Sequence, residues 1–224
     1  MADMERFSAL EDEILLAGRR LYEQGLVVSN DGNISAMAPD GTLIVTPTGV
    51  SKGYMTREML IRVDMEGNVI SGGKPSSELG MHLRIYRENE RIKAVVHAHP
   101  PIATVFASAG IPLDSAILQE TVVQLGIVPV AEYALPGSDG VGESAARFCM
   151  DYNAVLLEYH GAVTWGDSVS QALHRMESVE YYARALREAR LMGIERPMTQ
   201  EQINGLIELR GKWGVSGGGR PQGR

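Results

Sequence analysis

The sequence predicts an α/β fold, with one domain in which helices cover both faces of a central mixed sheet. Strand-like apolar runs alternate with helical periodicities along most of the chain, and turn-forming residues join several neighbouring strands. The 224 residues, 44% of them hydrophobic, suffice for a full core, and no repeat or interior linker divides them. We therefore expect one domain over residues 1–213 and a flexible, glycine-rich tail over 214–224.

The N-terminal half predicts one helix followed by short strands. Leu10, Ile14 and Leu21 recur at helical spacing, and a glycine ends the periodic run. Turn residues such as Pro39-Asp40-Gly41 separate the strand patterns that follow, as is typical of hairpins. The predicted elements are a helix over 8–24, strands over 34–37 and 42–45, and a hairpin of 60–63 with 68–70.

The C-terminal half alternates helices with more strongly apolar strands. Pro100 and Pro101 start one helix, because proline is tolerated in a first helical turn. The longest helix carries Ala172, Met176 and Val179 on one face. The predicted strands cover 94–97, 127–130, 154–157 and 162–165, and the predicted helices follow 75–77 and cover 101–109, 141–151, 168–192 and 199–210.

The charge balance and the single cysteine exclude several classes of protein. Lys and Arg number 21 against 28 Asp and Glu, a net charge of −7, which argues against nucleic-acid binding. The N-terminus lacks the pattern of a signal peptide, and the apolar stretch 94–113 contains histidines and prolines unsuited to a membrane span. Cys149 is the only cysteine, which fits a reducing compartment. We expect a cytoplasmic protein that binds neither membranes nor nucleic acid.

Three histidines at the ends of apolar strands indicate a metal site. His97 and His99 alternate along one strand, so their imidazoles lie on one face, and His160 ends another strand. Three neutral imidazoles leave a divalent ion with open positions, as a Lewis-acid site requires. The alternative is that backbone hydrogen bonds simply satisfy these histidines. His82 and His174 lie on predicted helices among polar neighbours and are interpreted as ordinary helix residues.

Three segments rich in small donor groups indicate an anion site. They are Gly32-Asn33, Thr48-Gly49 and Ser76-Ser77, and the last precedes a predicted helix, whose N-terminus favours phosphate. The alternative for each segment alone is a helix cap or a turn. Lys52 follows Thr48-Gly49, and we interpret it as a solvated lysine.

Five short segments occur in a characteristic order along the chain. They are Gly32-Asn33-Ile34-Ser35, Thr46-Pro47-Thr48-Gly49, Pro75-Ser76-Ser77-Glu78, His97-Ala98-His99 and His160-Gly161. This order resembles the class II aldolase/adducin family, and the resemblance extends from the first helix to residue 213. It implies a single-domain α/β/α sandwich around a mixed, largely antiparallel sheet.

The resemblance also implies ligands, cofactor and assembly. One Zn²⁺ per subunit would be held by Glu78, His97, His99 and His160, with Mn²⁺ or Co²⁺ as alternatives. The substrate phosphate would be held by Gly32, Asn33, Thr48, Gly49, Ser76 and Ser77. The chain would form a homotetramer with active sites at subunit interfaces.

The implied reaction is the retro-aldol cleavage of a ketose 1-phosphate. A substrate of the fuculose-1-phosphate or 5-deoxyribulose 1-phosphate type would give dihydroxyacetone phosphate and a small aldehyde. Glu78 would move the proton on the enediolate carbon, because a carboxylate displaced from the ion and enclosed is suited to acid–base work.

The chain departs from the aldolase pattern at the aldehyde end. No tyrosine follows Ile111-Pro112, and Trp213 replaces a tyrosine near the C-terminus. Glu120, among apolar residues, is the natural catalytic substitute, and its alternative role is a surface carboxylate at a strand end. These departures leave a sugar-phosphate 4-epimerase, a methylthioribulose-phosphate dehydratase and a metal-free, adducin-like binding domain as alternatives.

Overall fold

The computed structural model describes residues 2–224, with the side chains described from residue 5 onward. It contains seven α-helices: α1 (Ala2–Glu23), α2 (Leu79–Glu88), α3 (Pro101–Ser108), α4 (Gln119–Gln124), α5 (Asp139–Ala146), α6 (Val169–Leu191) and α7 (Gln200–Lys212). The strands are β1 (Asn33–Met37), β2 (Leu43–Val45), β3 (Ile61–Val63), β4 (Val69–Ser71), β5 (Ala94–Ala98), β6 (Val130–Ala131), β7 (Ala154–Leu157) and β8 (Gly161–Gly166).

All eight strands form one sheet in the order β4-β3-β2-β1-β5-β8-β7-β6. Neighbouring strands run antiparallel except for β6 and β7, which are parallel. β5 lies between β1 and β8, with His97 opposite Asn33 on one side and Val163 on the other. The predicted fold class, a largely antiparallel mixed sheet flanked by helices, is therefore confirmed.

Two hydrophobic clusters cover the two faces of the sheet. Alternate residues of a strand point to opposite faces, so Val96 packs with residues of α1, α3 and α6, whereas Val95 packs with residues of α2 and α5. His97 and His99 follow Val95 at intervals of two residues and share its face. The same periodicity places Asn33 and Ser35 of β1 on this face. The sheet thereby directs several polar side chains toward α2.

A buried carboxylate of α6 fixes the helix that follows His99. Glu180 Oε2 accepts hydrogen bonds from two backbone N–H groups in the first turn of α3, those of Ile102 and Ala103, both at 3.0 Å. These N–H groups have no partner inside their own helix, and the helix dipole favours a negative charge there. Glu180 therefore anchors α3 directly after His99-Pro100.

The segment 112–131 differs most from the prediction. The strand expected over 127–130 is reduced to Val130–Ala131 in β6, because Pro129 has no N–H and Ile127 N–H donates to Gly218 O instead. Helix α4 was not predicted, because Val122 and Val123 are β-branched and read as strand. Val122 packs against Ile203 of α7 in a small separate cluster, so tertiary packing decides the conformation.

The C-terminal segment 214–224 has no helix or strand and lies along the body of the protein. The buried guanidinium of Arg210 donates to the carbonyls of Gly217 and Gly219, and Gly218 N–H donates to Asp151 O at 2.8 Å. These bonds hold in place a segment for which composition alone predicts flexibility. Within residues 2–224, no helix combines the length and apolar character needed to cross a membrane.

Candidate active site

The three histidines named by the sequence lie together at one end of β5 and β8. His97 belongs to β5, His99 follows it, and His160 lies in the tight turn that joins β7 to β8. Tyr159 in that turn has a φ of 58°, a conformation unusual for a residue other than glycine. The turn thereby brings His160 back over the end of β5.

The three imidazoles converge on one point. His97 Nε2 and His99 Nε2 are 3.1 Å apart, and the ring centroids of the three pairs are separated by 4.7–5.0 Å. One nitrogen of each ring lies within 4.8 Å of the others. His97 is fully buried and the other two histidines are partly buried. This spacing suits three ligands of one metal ion.

Glu78 brings a carboxylate to the same point. Its Oε2 lies 3.3 Å from His97 Nε2, and its Oε1 lies 3.4 Å from His160 Nε2. Burial opposes ionisation of Glu78, but the charges of His97 and His160 and a hydrogen bond from Asn33 outweigh it and hold the pKa of Glu78 below its usual range. Oε1 is buried and has no hydrogen-bond partner.

The orientation of the rings supports a cation rather than protons at this point. His97 Nδ1 donates to Ala162 O at 3.0 Å, which directs Nε2 toward the cluster. His99 Nδ1 faces Asp31 Oδ2 at 3.5 Å. Burial, with the nearby charges of His97 and His160, lowers the pKa of His99 to about 4, so this ring is neutral near pH 7. Imidazole nitrogens beside a carboxylate oxygen that has no hydrogen-bond partner are a donor set that suits a divalent metal.

Two glycines allow the strands to approach one another at the cluster. A Cβ on Gly161 would lie 2.4 Å from Ala98 O and 2.7 Å from His99 Cδ2. A Cβ on Gly32, whose φ is 72°, would lie 2.8 Å from His97 O. The close contact of β5 with its neighbours, and hence the positions of the histidines, depends on these two residues.

The segments predicted to bind phosphate also lie side by side. Thr48 N–H donates to Lys74 O at 3.1 Å and Ser76 N–H donates to Thr46 O at 3.2 Å, so the loops 46–49 and 74–78 run next to each other. Ser76 Oγ also accepts from Glu78 N–H at 3.3 Å, which ties the phosphate segment to the carboxylate. The remaining hydroxyl and amide groups of this double loop are open to solvent, namely those of Thr48, Gly49 and Ser77.

Two residues near these loops differ from their sequence interpretation. The Asn33 side chain donates to Glu78 Oε2 at 2.8 Å, and its Oδ1 contacts His82 Nε2 at 2.5 Å, so both of its polar atoms are already used. The interpretation of Lys52 as solvated is wrong. Lys52 is only 2% exposed, and its Nζ donates to Asn30 O at 3.0 Å and to Val50 O at 2.7 Å. Its ammonium group links the loop before Gly32 to the loop that carries Gly49.

Sequence reasoning missed the burial of His82 and gave Glu120 the wrong secondary structure and exposure. His82 is 2% exposed, and the available signal was its spacing of four residues from Glu78, which puts both on one helical face. Glu120, expected to be partly buried near a strand end, lies exposed in the first turn of α4. It is not among the residues that meet at the histidine cluster.

Residues 12–186 match the family model described as "Class II Aldolase and Adducin N-terminal domain". The chain belongs to the class II aldolase and adducin family. A relative named 3-oxo-tetronate 4-phosphate decarboxylase, from Escherichia coli (strain K12), is 33% identical over 206 residues, covering 90% of this chain and 95% of its own. An L-fuculose phosphate aldolase of Methanococcus maripaludis (strain DSM 14266) is 36% identical over 172 residues, covering 76% and 92%.

A solved structure described as L-fuculose 1-phosphate aldolase superposes with a TM-score of 0.84 at 31% identity, covering 90% of this chain and 96% of its own. Members of the class II aldolase and adducin family thus include both aldolases and decarboxylases. Class II aldolases are metal-dependent, and the three histidines of this member form a group able to bind a metal ion. Which reaction this chain performs depends on the groups around that cluster.

Proposed function

We propose that this protein is a metal-dependent lyase that cleaves a ketose 1-phosphate into dihydroxyacetone phosphate and a small aldehyde. The observation that carries the proposal is the buried carboxylate of Glu78. Among the residues that the structure describes, its Oε1 has no hydrogen-bond partner and lies 3.4 Å from His160 Nε2, and a buried polar atom without a partner is costly. A metal ion would satisfy this atom, and release of the carboxylate from the bound ion when substrate binds would free a base.

Four residues would hold the ion, and we propose Zn²⁺, one per subunit, with Mn²⁺ or Co²⁺ as alternatives. They are Glu78, His97, His99 and His160. A divalent cation bound there supplies a Lewis acid that stabilises the negative charge of an enediolate. The phosphate would bind the exposed donors of the adjacent double loop, where Thr48, Gly49 and Ser77 are open to solvent. Gly32 and Ser76 belong to the same proposed phosphate segment, whereas the Asn33 side chain is already bonded to Glu78 and His82 and would position Glu78 instead.

Glu78 would carry the proton of the carbon that becomes C3 of dihydroxyacetone phosphate. During cleavage the C3–C4 bond breaks, its electron pair stays on C3, and C4 becomes the aldehyde carbon after loss of its hydroxyl proton. Glu78 would take up a proton from water and deliver it to C3. In the synthesis direction the ionised carboxylate would remove that proton.

The base for the C4 hydroxyl would come from Glu120 of a neighbouring subunit. Glu120 is exposed on α4 and lies outside the cluster of its own chain, and this exposure supports a role across a subunit interface. This assignment follows the resemblance, which implies active sites between subunits of a homotetramer. The epimerase and dehydratase alternatives would also place an acidic residue at this point.

Decarboxylation of a 3-oxo-tetronate 4-phosphate is the second candidate. It is favoured by the 33% identity over 206 residues with the Escherichia coli decarboxylase. In this reaction the C1–C2 bond breaks, carbon dioxide leaves, and Glu78 protonates C2 to give the same dihydroxyacetone phosphate. No hydroxyl proton has to be removed, so the reaction needs no group in the position proposed for Glu120.

An NMR time course with two substrates tests both candidates. Protein loaded with Zn²⁺ is mixed in parallel with 5-deoxyribulose 1-phosphate and with 3-oxo-tetronate 4-phosphate. Dihydroxyacetone phosphate with acetaldehyde from the first substrate supports the aldolase, and dihydroxyacetone phosphate with carbon dioxide from the second supports the decarboxylase. Protein treated with a chelator is the control. An epimeric ketose phosphate, a diketone formed by loss of water, or no product from either substrate would overturn the lyase proposal.

A further inference from the structure

A buried chain of hydrogen bonds extends from Glu78 into the protein. Asn33 donates from Nδ2 to Glu78 Oε2 at 2.8 Å, and its Oδ1 lies 2.5 Å from His82 Nε2. His82 Nδ1 lies 2.6 Å from Ser35 Oγ, which in turn lies 2.8 Å from the hydroxyl of Tyr86. The four residues behind Glu78 are at most 3% exposed. Buried polar groups are costly unless all are paired, and here each link is made.

An ionised Glu78 determines the position of every proton in this chain. A carboxylate only accepts hydrogen bonds, so the Asn33 amide must present its NH₂ group to Glu78 and its oxygen to His82. His82 must then carry its proton on Nε2, which leaves Nδ1 as an acceptor for the Ser35 hydroxyl. The Ser35 oxygen accepts in turn from Tyr86. Burial and the charge of His97 lower the pKa of His82 to about 3, in agreement with a neutral ring that has one donor and one acceptor.

The arrangement follows from the fold rather than from local sequence. Asn33 and Ser35 alternate on β1 and therefore face α2, while His82 and Tyr86 lie four residues apart on the side of α2 that faces the sheet. Glu78 is the N-cap residue of the same helix but receives no hydrogen bond from its own helix through its side chain. The orientation of its carboxylate is thus set by Asn33 of the sheet.

We propose that His82, with Ser35 and Tyr86 behind it, is a positioning residue that acts through Asn33 to hold Glu78 with Oε1 directed toward the histidine cluster. This inference rests on the proposed metal-dependent function. Without His82, the Asn33 amide has no partner to fix its orientation. It can rotate and present its oxygen to the carboxylate, which would turn Glu78 away from the cluster.

Co²⁺ binding to the apoprotein tests this role without any substrate. We expect His82→Leu to weaken Co²⁺ binding about tenfold and to change the visible Co²⁺ spectrum, as is usual when a residue that orients a metal ligand is lost. Ser35→Ala should have a smaller effect and Tyr86→Phe the smallest, because each lies further from Glu78. His174→Leu is the matched control, since His174 is exposed on α6, and it should bind as the wild type does.

The outcomes separate this inference from the proposed function. If wild-type protein fails to bind Co²⁺, the metal-dependent function fails and the positioning role fails with it. If wild type binds but His82→Leu and Ser35→Ala bind within about twofold of it, the metal site stands and the positioning role is overturned. A fall in the melting temperature of these variants with unchanged Co²⁺ affinity also overturns it, because that pattern is purely structural. Should His82→Leu not fold, Ser35→Ala, which removes a single atom, decides the question.

Separate measurement of kcat and KM provides a second test, with the substrate that the NMR experiment identifies. His82 makes its hydrogen bonds to Asn33 and Ser35 and none to the exposed donors of the phosphate loops. His82→Leu should therefore lower kcat while leaving KM nearly unchanged. A rise in KM at constant kcat would show that His82 acts on substrate binding instead and would contradict the proposal.

Discussion

Glu78 combines two features that are costly for an ordinary carboxylate. It is largely buried, and one of its oxygens has no hydrogen-bond partner. Both features are explained if this oxygen binds a cation in the assembled site. Similar reasoning applies to His97, whose Nδ1 bond to a backbone carbonyl leaves its other nitrogen free to act as a ligand.

Glu78→Gln should keep the fold and lose most of the turnover. Glutamine is isosteric and can still accept the Asn33 hydrogen bond, but it cannot carry the proton of C3. We expect kcat to fall about 10²–10⁴-fold, the usual contribution of general acid–base catalysis. The measurement is the initial rate at saturating Co²⁺, with circular dichroism to confirm folding. Turnover close to that of wild type would exclude Glu78 from proton transfer.

Lys52 should make stability depend on pH in the alkaline range. Burial lowers the pKa of Lys52 from the ordinary 10.5 to about 8 in the folded protein, with partial compensation from Asp31. Between these two pH values the unfolded chain holds a proton that the folded protein has released. The free energy of unfolding therefore rises with pH over this window, by at most about 3 kcal/mol. Below the folded pKa both states are protonated, and the contribution is constant.

Urea denaturation at pH 8 and pH 10 measures this effect, with Lys52→Met as the comparison. The variant leaves the carbonyls of Asn30 and Val50 without the ammonium group, so its absolute stability also changes. Only the difference between wild type and variant in how the free energy of unfolding changes with pH reports the titration of Lys52. An identical rise in wild type and variant would show that Lys52 is not the titrating group.

At the scale of elements, the candidate site depends on how closely β5 and β8 pair. Ala98 pairs with Ala162, and Gly161 lies at the end of the ladder where no side chain fits. Val163 and Trp165 of β8 also belong to the hydrophobic cluster on the α2 face of the sheet. The backbone of β8 therefore supports both the hydrophobic core and the candidate site. A shift of β8 would therefore displace both His160 and His99.

Gly161→Ala should weaken metal binding and stability together. The new Cβ would meet Ala98 O at 2.4 Å, and the strand must move to relieve that contact. We expect a loss of about 1–3 kcal/mol, as for other overpacked sites, and weaker Co²⁺ binding. Gly205→Ala in α7 is the control, because nothing lies within 4 Å of its position and alanine favours a helix. Equal stability of the two variants in urea would contradict the close-approach argument.

For the whole molecule, the proposed homotetramer would complete the candidate site. The donors of the phosphate loops and Glu120 are exposed in the single chain. Several large apolar side chains are exposed as well, among them Leu16, Val28, Tyr54 and Trp213. The proposed homotetramer would cover some of this surface and bring Glu120 to a neighbouring site.

Sedimentation equilibrium should give about four times the mass of the 24.3-kDa chain, as expected for the proposed homotetramer. A monomer that remains active would exclude active sites shared between subunits.

Glu120→Gln should lower turnover of a ketose 1-phosphate without changing Co²⁺ affinity. The residue lies outside the histidine cluster of its own chain, so its loss should not alter the ligands. The expected decrease in kcat is about 10²-fold, the lower end of the range for a lost base. Glu201→Gln on α7 is a control for the loss of one exposed carboxylate. Weaker Co²⁺ binding in Glu120→Gln would mean that its role has been misassigned.

The sequence alone determined the fold class, most of the elements and the order of the segments that identify the family. These features depend on local periodicity, turn residues and motif spacing, all of which are properties of the order of residues along the chain. Helix α4 and the shortened strand β6 escaped prediction because packing against α7 and a hydrogen bond from Ile127 N–H to Gly218 O decide them. The burial of Lys52 and His82 escaped it for the same reason. Whether a polar residue on a helix faces solvent or a neighbouring strand is a property of the tertiary structure, and only that structure placed His82 behind Asn33 and Glu78.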